Sequence, residues 1–202
     1  DLALLFGMYN VGYQHFKAIG ELASTGFITV FFYGLLKVLP VVIVSYVTGL
    51  GVEFAFAQMR GHEVNEGFLV SGMLIPLIMP INTPLWMVAV ATVFAVIFGK
   101  EVFGGTGMNI WNPALLARAF LFFAYPAQMS GDKVWVPLKD SDKVIDGFTG
   151  ATPMADAATG NIDFNVFDAF IGLIPGSIGE TSTLAILIGA IFLIITGIGS
   201  WK

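Results

Sequence analysis

Long runs of apolar residues, separated by short polar stretches rich in glycine and proline, set the pattern of this chain. The longest run, residues 27–56, predicts a membrane-crossing helix between residues 36 and 57, since about twenty apolar residues span a bilayer. Residues 2–9 form a run of about half that length, which predicts the end of a helix. Residues 10–24 mix polar, charged and apolar side chains and predict an interfacial loop or a surface helix.

Two shorter apolar runs, residues 68–80 and 84–99, flank a turn that contains two prolines. At a rise of about 1.5 Å per residue each run covers only about 20–24 Å, which predicts half-helices or short tilted spans. Interrupted segments of this kind point to a binding site in a membrane fold, because irregular backbone at that depth needs protein or a cavity to satisfy its polar groups.

Three further helices are predicted in the second half of the chain. Asn112 directly precedes a proline, which is typical of an N-cap followed by the first helical residue, and predicts a helix over residues 114–124. The apolar runs 164–174 and 184–198 predict the other two, the latter with polar capping residues in front of it.

Composition places this pattern in a membrane. Of the 202 residues 56% are hydrophobic and 11% are charged, whereas charged residues make up roughly a quarter of an ordinary soluble domain. The chain is therefore predicted to be an all-α polytopic membrane protein surrounded by lipid. It has no cysteine, which excludes a disulfide or an iron–sulfur cluster held by this chain. The net charge of −5 argues against nucleic acid as a partner.

A few ionisable residues stand inside or beside the apolar runs. Glu53 lies near the end of the longest run, where it is predicted either to be paired and functional or to reach the nearby interface. Arg118 lies inside the predicted helix 114–124 and needs a partner such as a carboxylate, a phosphate or a flavin carbonyl. His15 and His62 are predicted to be interfacial or solvated, and no metal site is predicted.

The most polar part of the chain is residues 126–168, in which aspartate outnumbers lysine. This balance predicts a loop on the outer side of the membrane, although acidic residues weigh little in the positive-inside rule. The loop contains the heptad Asp-Gly-Phe-Thr-Gly-Ala-Thr at residues 146–152. Read by its residue types alone, the heptad is a surface turn.

The heptad also resembles the acceptor motif of flavin transferases, in which the phosphate of FMN is esterified to the last threonine. The resemblance implies a covalent FMN on Thr152, with Asp146, Thr149, Gly150 and Ala151 completing the motif. The residue types suit this chemistry, because an unhindered hydroxyl attacks phosphorus and the glycine leaves room for the transferase and for the ring.

Several longer blocks extend the resemblance from about residue 7 to residue 202. Together with the heptad they are similar to the family of the NqrB subunit of the sodium-translocating NADH:quinone oxidoreductase. The related RnfD subunit of the Rnf-type ferredoxin:NAD oxidoreductase shares the motif and the fold. The family's N-terminal segment and C-terminal helices have no counterpart here, so residues 1–202 are expected to be a single-domain fragment covering about half of such a protein. The blocks lie at residues 61–67, 100–107, 112–114, 118–126 and 174–180.

This resemblance implies a fold with inverted repeats and broken helices, similar to urea and ammonium channels, of which one repeat is largely covered. It also implies a translocase subunit of the bacterial inner membrane. Such a subunit relays electrons through covalent FMN and bound riboflavin towards ubiquinone, coupled to sodium export. The other subunits, membrane lipid and, during maturation, a flavin transferase are the implied partners.

Five more residues receive roles through the resemblance. Gly49 and Glu53 fall in the region of the family's quinone site and of a sodium-linked acidic residue. Asn109, Asn112 and Arg118 are predicted riboflavin or flavin contacts.

Two alternatives stay open at this point. The broken half-helices also suit a non-redox channel, which would need no flavin acceptor motif. An Rnf-type subunit would be a redox protein too, but would couple to ferredoxin and NAD instead of quinone.

Overall fold

A computed structural model describes residues 2–61, 67–105, 107–130, 151–160 and 165–199. Across these ranges the chain forms nine α-helices and two short 3-10 helices, and no strand, which confirms the all-α prediction. The 3-10 helices are Leu22–Ser24 and Glu101–Phe103. The α-helices are α1 Leu2–Ala18, α2 Phe27–Arg60, α3 Phe68–Leu77, α4 Leu85–Gly99, α5 Pro113–Ala124, α6 Pro126–Met129, α7 Pro153–Ala158, α8 Val166–Ile171 and α9 Thr183–Ile195.

Helix α2 contains 34 residues, which corresponds to a length of about 51 Å. It therefore extends beyond the predicted span 36–57 at both ends and continues through Pro40. By length and composition, α2 and the stretch Leu85–Phe103 are long and apolar enough to cross a membrane.

One face of α2 exposes large apolar side chains at intervals of four or seven residues. More than half of the surface of each of these side chains is exposed. A continuous apolar stripe of this length is unfavourable in water, and lipid is the solvent that suits it. The stripe consists of Ile28, Phe32, Leu36, Ile43, Val47 and Phe54.

The chain divides into two compact units. The terminal unit comprises residues 1–37 and 131–202, and the central unit comprises residues 38–130. In the terminal unit, α1 packs on α9, and α9 packs on α8. Helix α8 ends before Gly172, whose φ of 104° is the left-handed conformation that suits a glycine after a helix. This stop makes α8 shorter than the predicted helix 164–174.

Helix α1 differs most from the sequence prediction. It continues without a break to Ala18, so the predicted helix end near residue 9 is wrong. The loop or surface helix predicted for residues 10–24 is wrong over residues 10–18, many of which are buried in α1, and agrees with the structure over residues 19–24, a partly exposed turn and 3-10 helix. His15 is 6% exposed, and its Nδ1 lies 3.1 Å from the hydroxyl of Tyr33, with the two rings stacked. The predicted solvated environment of His15 is therefore also wrong, while His62 lies outside the described residues.

In the central unit, α5 packs against α3 and α4. The short helices α3 and α4 are joined by a turn through residues 78–84, which confirms the predicted break between two short apolar segments. Phe94 and Phe120 stack with ring centroids 4.4 Å apart and join α4 to α5. Ser45 donates a hydrogen bond to the carbonyl of Gly72 at 2.9 Å, which attaches this part of α2 to α3.

Candidate functional site

A cavity of about 590 Å³ in the terminal unit has Thr152 in its wall. The wall is formed by residues of α7 and by the segment 174–181, and most of its surface is apolar. Small-molecule sites commonly have volumes of about 300–1,000 Å³ and apolar walls with a few polar groups. The cavity belongs to this class of site.

Thr152 caps the first turn of α7. Its backbone is extended, and its Oγ1 accepts a hydrogen bond from the amide of Ala155 at 3.2 Å. Pro153 occupies the first helical position, where a missing N–H costs nothing. The cap holds the Thr152 hydroxyl at the cavity wall, and the side chain is only partly buried.

The rest of the acceptor motif is mostly outside the described residues. Asp146, Thr149 and Gly150 fall in the range 131–150, and their predicted roles stay predictions. Ala151 is described and buried, with 7% of its surface exposed. Ala151 is therefore buried next to Thr152, whose side chain is only partly buried.

A chain of buried polar side chains lies behind this cavity. Thr181 lines the cavity, and its Oγ1 accepts a hydrogen bond from Nδ2 of Asn10 at 3.3 Å. The same Nδ2 donates to the carbonyl of Ile174 at 3.0 Å, and Nε2 of Gln14 donates to Oδ1 of Asn10 at 3.3 Å. These contacts fix the amide of Asn10, and through it the oxygen of Thr181.

A second polar pair stands in the same wall. The hydroxyl of Ser177 donates a hydrogen bond to Oε2 of Glu180 at 2.6 Å. Ser177 is buried and Glu180 is exposed, so the pair marks the transition from the cavity interior to its polar edge.

These residues fit the flavin that the sequence predicts. A partly exposed hydroxyl on Thr152 is available for esterification, and the apolar wall suits a flat aromatic ring. The hydroxyl of Thr181 offers the kind of polar group that recognises ring carbonyls and nitrogens.

The central unit contains a buried ion pair. Glu53 on α2 and Lys100 after α4 are each 4% exposed, and the ammonium of Lys100 donates a hydrogen bond to Oε1 of Glu53. The ring of Phe68 lies 5.9 Å from the same ammonium. Glu53 was predicted either to be paired or to reach the membrane interface, and the structure shows that it is paired.

A second ion pair continues this cluster. Arg60, at the end of α2, donates to the carbonyl of Glu101 at 2.6 Å, and its Nη1 lies 3.6 Å from Oε2 of Glu101. Glu101 is 3% exposed, and within the described ranges its Oε2 accepts no hydrogen bond. The four groups carry two positive and two negative charges, so the cluster is neutral as a whole.

Gly49 stands one helical turn before Glu53 on α2. A Cβ at Gly49 would overlap the ring of Phe68, which is itself fully buried. The glycine is therefore required for α2 to approach this ring, a packing role that is independent of any ligand.

The three predicted flavin contacts of the central unit have different surroundings. Asn109 is exposed, and its Nδ2 donates to the carbonyl of Trp111 at 3.3 Å. Oδ1 of Asn112 accepts from the amides of Ala114 and Leu115 at 2.9 and 3.4 Å, which confirms the predicted N-cap. Nη1 of Arg118 donates to the carbonyl of Ile78 at 2.9 Å, a backbone partner that the sequence did not predict.

Mutation of Asn112 tests whether this residue stabilises α5 as its N-cap, independently of any ligand. Asn112→Ala should lower the free energy of unfolding by about 1 kcal/mol, because it removes the acceptor for two helical amides. Asn112→Ser should retain most of that stability, and Asn109→Ala, on the exposed neighbour, should change it little. The midpoint of SDS-induced unfolding in mixed micelles measures all three. Equal stability of Asn112→Ala and the parent chain would contradict the capping role.

Sequence reasoning missed several residues that the structure brings together. Asn10 and Thr181 are far apart in the chain, and nothing in either local sequence signals their contact. Lys100 had a detectable signal, since a buried Glu53 required a cation and Lys100 ends an apolar run.

Apolar helices of membrane-spanning length and an exposed apolar stripe on α2 indicate a helical membrane protein. A model of the NQR2, RnfD, RnfE family matches residues 2–202, and the chain belongs to this family. The resemblance inferred from the sequence blocks is thereby confirmed.

Curated relatives agree with the family. The chain is 48% identical to the B subunit of the Na(+)-translocating NADH-quinone reductase of Chromohalobacter salexigens, over 99% of this chain and 53% of the relative. It is 48% identical to the corresponding protein of Ectopseudomonas mendocina and 44% identical to that of Pseudoalteromonas atlantica, in each case over 99% of this chain and 55% of the relative. The chain thus spans about half the length of the curated relatives it matches.

Proposed function

We propose that this chain is part of a membrane subunit of a sodium-translocating NADH:quinone oxidoreductase, and that it carries a covalent FMN on Thr152. The observation that carries the proposal is the match of 99% of the chain to relatives with that name, at 44–48% identity. The cavity beside Thr152 supports the cofactor assignment.

In this proposal the residues of the terminal unit hold the flavin. Thr152 would hold the phosphate through its Oγ1, and the apolar wall of the cavity would exclude water from the flavin. When bound, the flavin supplies electron transfer in steps of one or two electrons, while the protein supplies position and electrostatics. The covalent bond would prevent loss of the cofactor.

The ion cluster of the central unit bears on the proposed sodium transport. Its carboxylates are buried, and Glu53 is occupied by the ammonium of Lys100. A sodium ion that uses Glu53 must therefore displace this internal cation, because two cations cannot share one carboxylate without a large electrostatic cost. Riboflavin near Asn109, Asn112 and Arg118, quinone near Gly49, and a channel-like inverted repeat belong to the same proposal.

The family description also includes RnfD, which makes an Rnf-type protein the second candidate. Both candidates share the redox class and the flavin motif. The relatives named above favour the quinone reductase. Electron transfer to quinone, measured in the complete complex with NADH as donor, distinguishes the two, since the Rnf-type complex is expected to use ferredoxin.

The cofactor is tested by changing its attachment residue. The full-length polypeptide is co-expressed with a flavin transferase, and Thr152→Ala is compared with the parent by intact mass and in-gel fluorescence. The parent should gain the mass of one FMN less one water, and Thr152→Ala should lose both the mass increment and the fluorescence completely. The reason is that alanine has no hydroxyl to esterify.

Two controls accompany this experiment. Thr159→Ala makes the same substitution at the exposed end of α7 and should leave the label intact. Thr152→Ser keeps a hydroxyl that caps the helix, so its membrane yield reports on folding. An unmodified parent chain, produced beside a transferase that labels another substrate, would overturn the flavin proposal.

A further inference from the structure

The buried hydrogen bond between Asn10 and Thr181 affects how the Thr181 hydroxyl can interact with a ligand in the cavity. Asn10 is 4% exposed and Thr181 is 7% exposed, so water has little access to either side chain. Asn10 places its amide nitrogen, which is a donor, against the Thr181 oxygen. A hydroxyl whose oxygen accepts a hydrogen bond retains its own proton for another acceptor.

That proton has no acceptor in the described part of the protein. Among the described residues, the Thr181 side chain makes one hydrogen bond, which it accepts from Asn10. The hydroxyl of Ser177 in the same wall differs, since it already donates to Glu180. A buried donor left without a partner is costly, and the cavity that Thr181 lines is where a ligand can supply the acceptor.

The amide of Asn10 cannot easily reverse this polarity. Its Nδ2 also donates to the carbonyl of Ile174, and its Oδ1 accepts from Gln14. A flipped amide would put oxygen against a carbonyl oxygen and nitrogen against the Gln14 amide. Both contacts would be repulsive, so the network keeps the amide nitrogen of Asn10 against the Thr181 oxygen and leaves the hydroxyl proton available to donate towards the cavity.

Resting on the proposed function, we infer that Thr181 donates a hydrogen bond to an acceptor atom of the flavin ring and raises its reduction potential, and that Asn10 is the positioning residue for this donor. Reduction by two electrons from dithionite, with uptake of one proton from water, would leave one net negative charge on the ring, shared by its carbonyl and nitrogen acceptors. Hydrogen bonds to a charged acceptor are stronger than those to a neutral one. The donor therefore stabilises the reduced flavin more than the oxidised flavin.

The test is the midpoint potential of the covalent flavin in the full-length, flavinylated polypeptide. Dithionite supplies the electrons, and the visible flavin spectrum reports the reduced fraction. Each variant is titrated with and without an added Thr152→Ala substitution, and the difference isolates the covalent cofactor. Thr181→Val should make reduction about tenfold less favourable, which for two electrons is a downward shift of about 30 mV.

Conservative and matched variants separate this effect from a change in structure. Thr181→Ser keeps the donor and should retain the parent potential. Thr183→Val makes the same substitution two residues away at an exposed position and should also retain it. Asn10→Leu should lower the potential in the parent, but should have no further effect in the Thr181→Val background, because the two residues act through one hydroxyl.

Each outcome decides the inference. An unchanged potential in labelled Thr181→Val, or in Thr181→Ala if the valine variant does not accumulate, overturns it and leaves the covalent flavin in place. Loss of the label in both variants overturns it too, since Thr181 is assigned no part in attachment. Absence of label in the parent and in Thr183→Val refutes the proposed function itself.

Discussion

Replacing Lys100 by methionine is expected to lower the free energy of unfolding by about 3–5 kcal/mol, the cost typical of removing one partner from a buried ion pair. The substitution leaves the carboxylate of Glu53, which is 4% exposed, without its cation. Methionine fills a similar volume, so the missing charge and hydrogen bond account for most of the effect. Unfolding in SDS–detergent mixed micelles, followed by circular dichroism, measures the change.

The double variant makes this prediction specific to the pair. Glu53→Gln together with Lys100→Met removes both charges, and it should be more stable than Lys100→Met alone, because no unpaired charge remains. Lys17→Met is the matched control, since Lys17 is exposed on α1 and its loss should cost well under 1 kcal/mol. Equal stability of Lys100→Met and Lys17→Met would show that the pair contributes nothing.

Replacing Gly34 by alanine is expected to destabilise the terminal unit by about 3 kcal/mol or more. A Cβ at Gly34 would overlap the backbone carbonyl of Met8 on α1, and backbone cannot move aside as a flexible side chain can. The two helices would have to separate, which is the overpacking that costs about 1–3 kcal/mol or more in a packed core. The same unfolding assay measures the loss.

Gly51→Ala is the matched control on the same helix. No atom lies within 4 Å of a Cβ built there, so alanine should stabilise α2 by about 0.5–1 kcal/mol through its helix propensity. Opposite signs for one substitution at two glycines of α2 would establish close helix packing as the cause. A loss at both positions would indicate a general intolerance of α2 to alanine instead.

Elements whose ends are marked by local sequence signals were predicted, and elements that depend on distant contacts were not. The short apolar segments of α3 and α4 and the cap of α5 followed from local sequence, since proline and Asn112 determine where these helices stop and start. The full length of helix α1 was not predicted, because polar residues such as Asn10 and Gln14 are typical of an exposed segment. The burial of Asn10 depends on partners at Ile174 and Thr181, which are more than 160 residues away in the chain.

The candidate site shows the same division. Thr152 was predicted from its motif, because attachment chemistry requires a particular residue in a short recognisable context. The cavity beside it was not predictable, since its wall joins α7 to the segment 174–181. The donor character of Thr181 was still less accessible, because it depends on which atom of Asn10 faces the hydroxyl.

Composition, local periodicity and contiguous motifs were enough to place this chain among helical membrane proteins, to assign its family and to predict the residue for flavin attachment. None of these conclusions needs knowledge of distant contacts. The pairing of Glu53 with Lys100, the burial of His15 and the orientation of Thr181 by Asn10 emerged only from the folded molecule. The reason is physical: a buried polar group is stable only when a partner satisfies it, and the fold supplies that partner from anywhere in the chain.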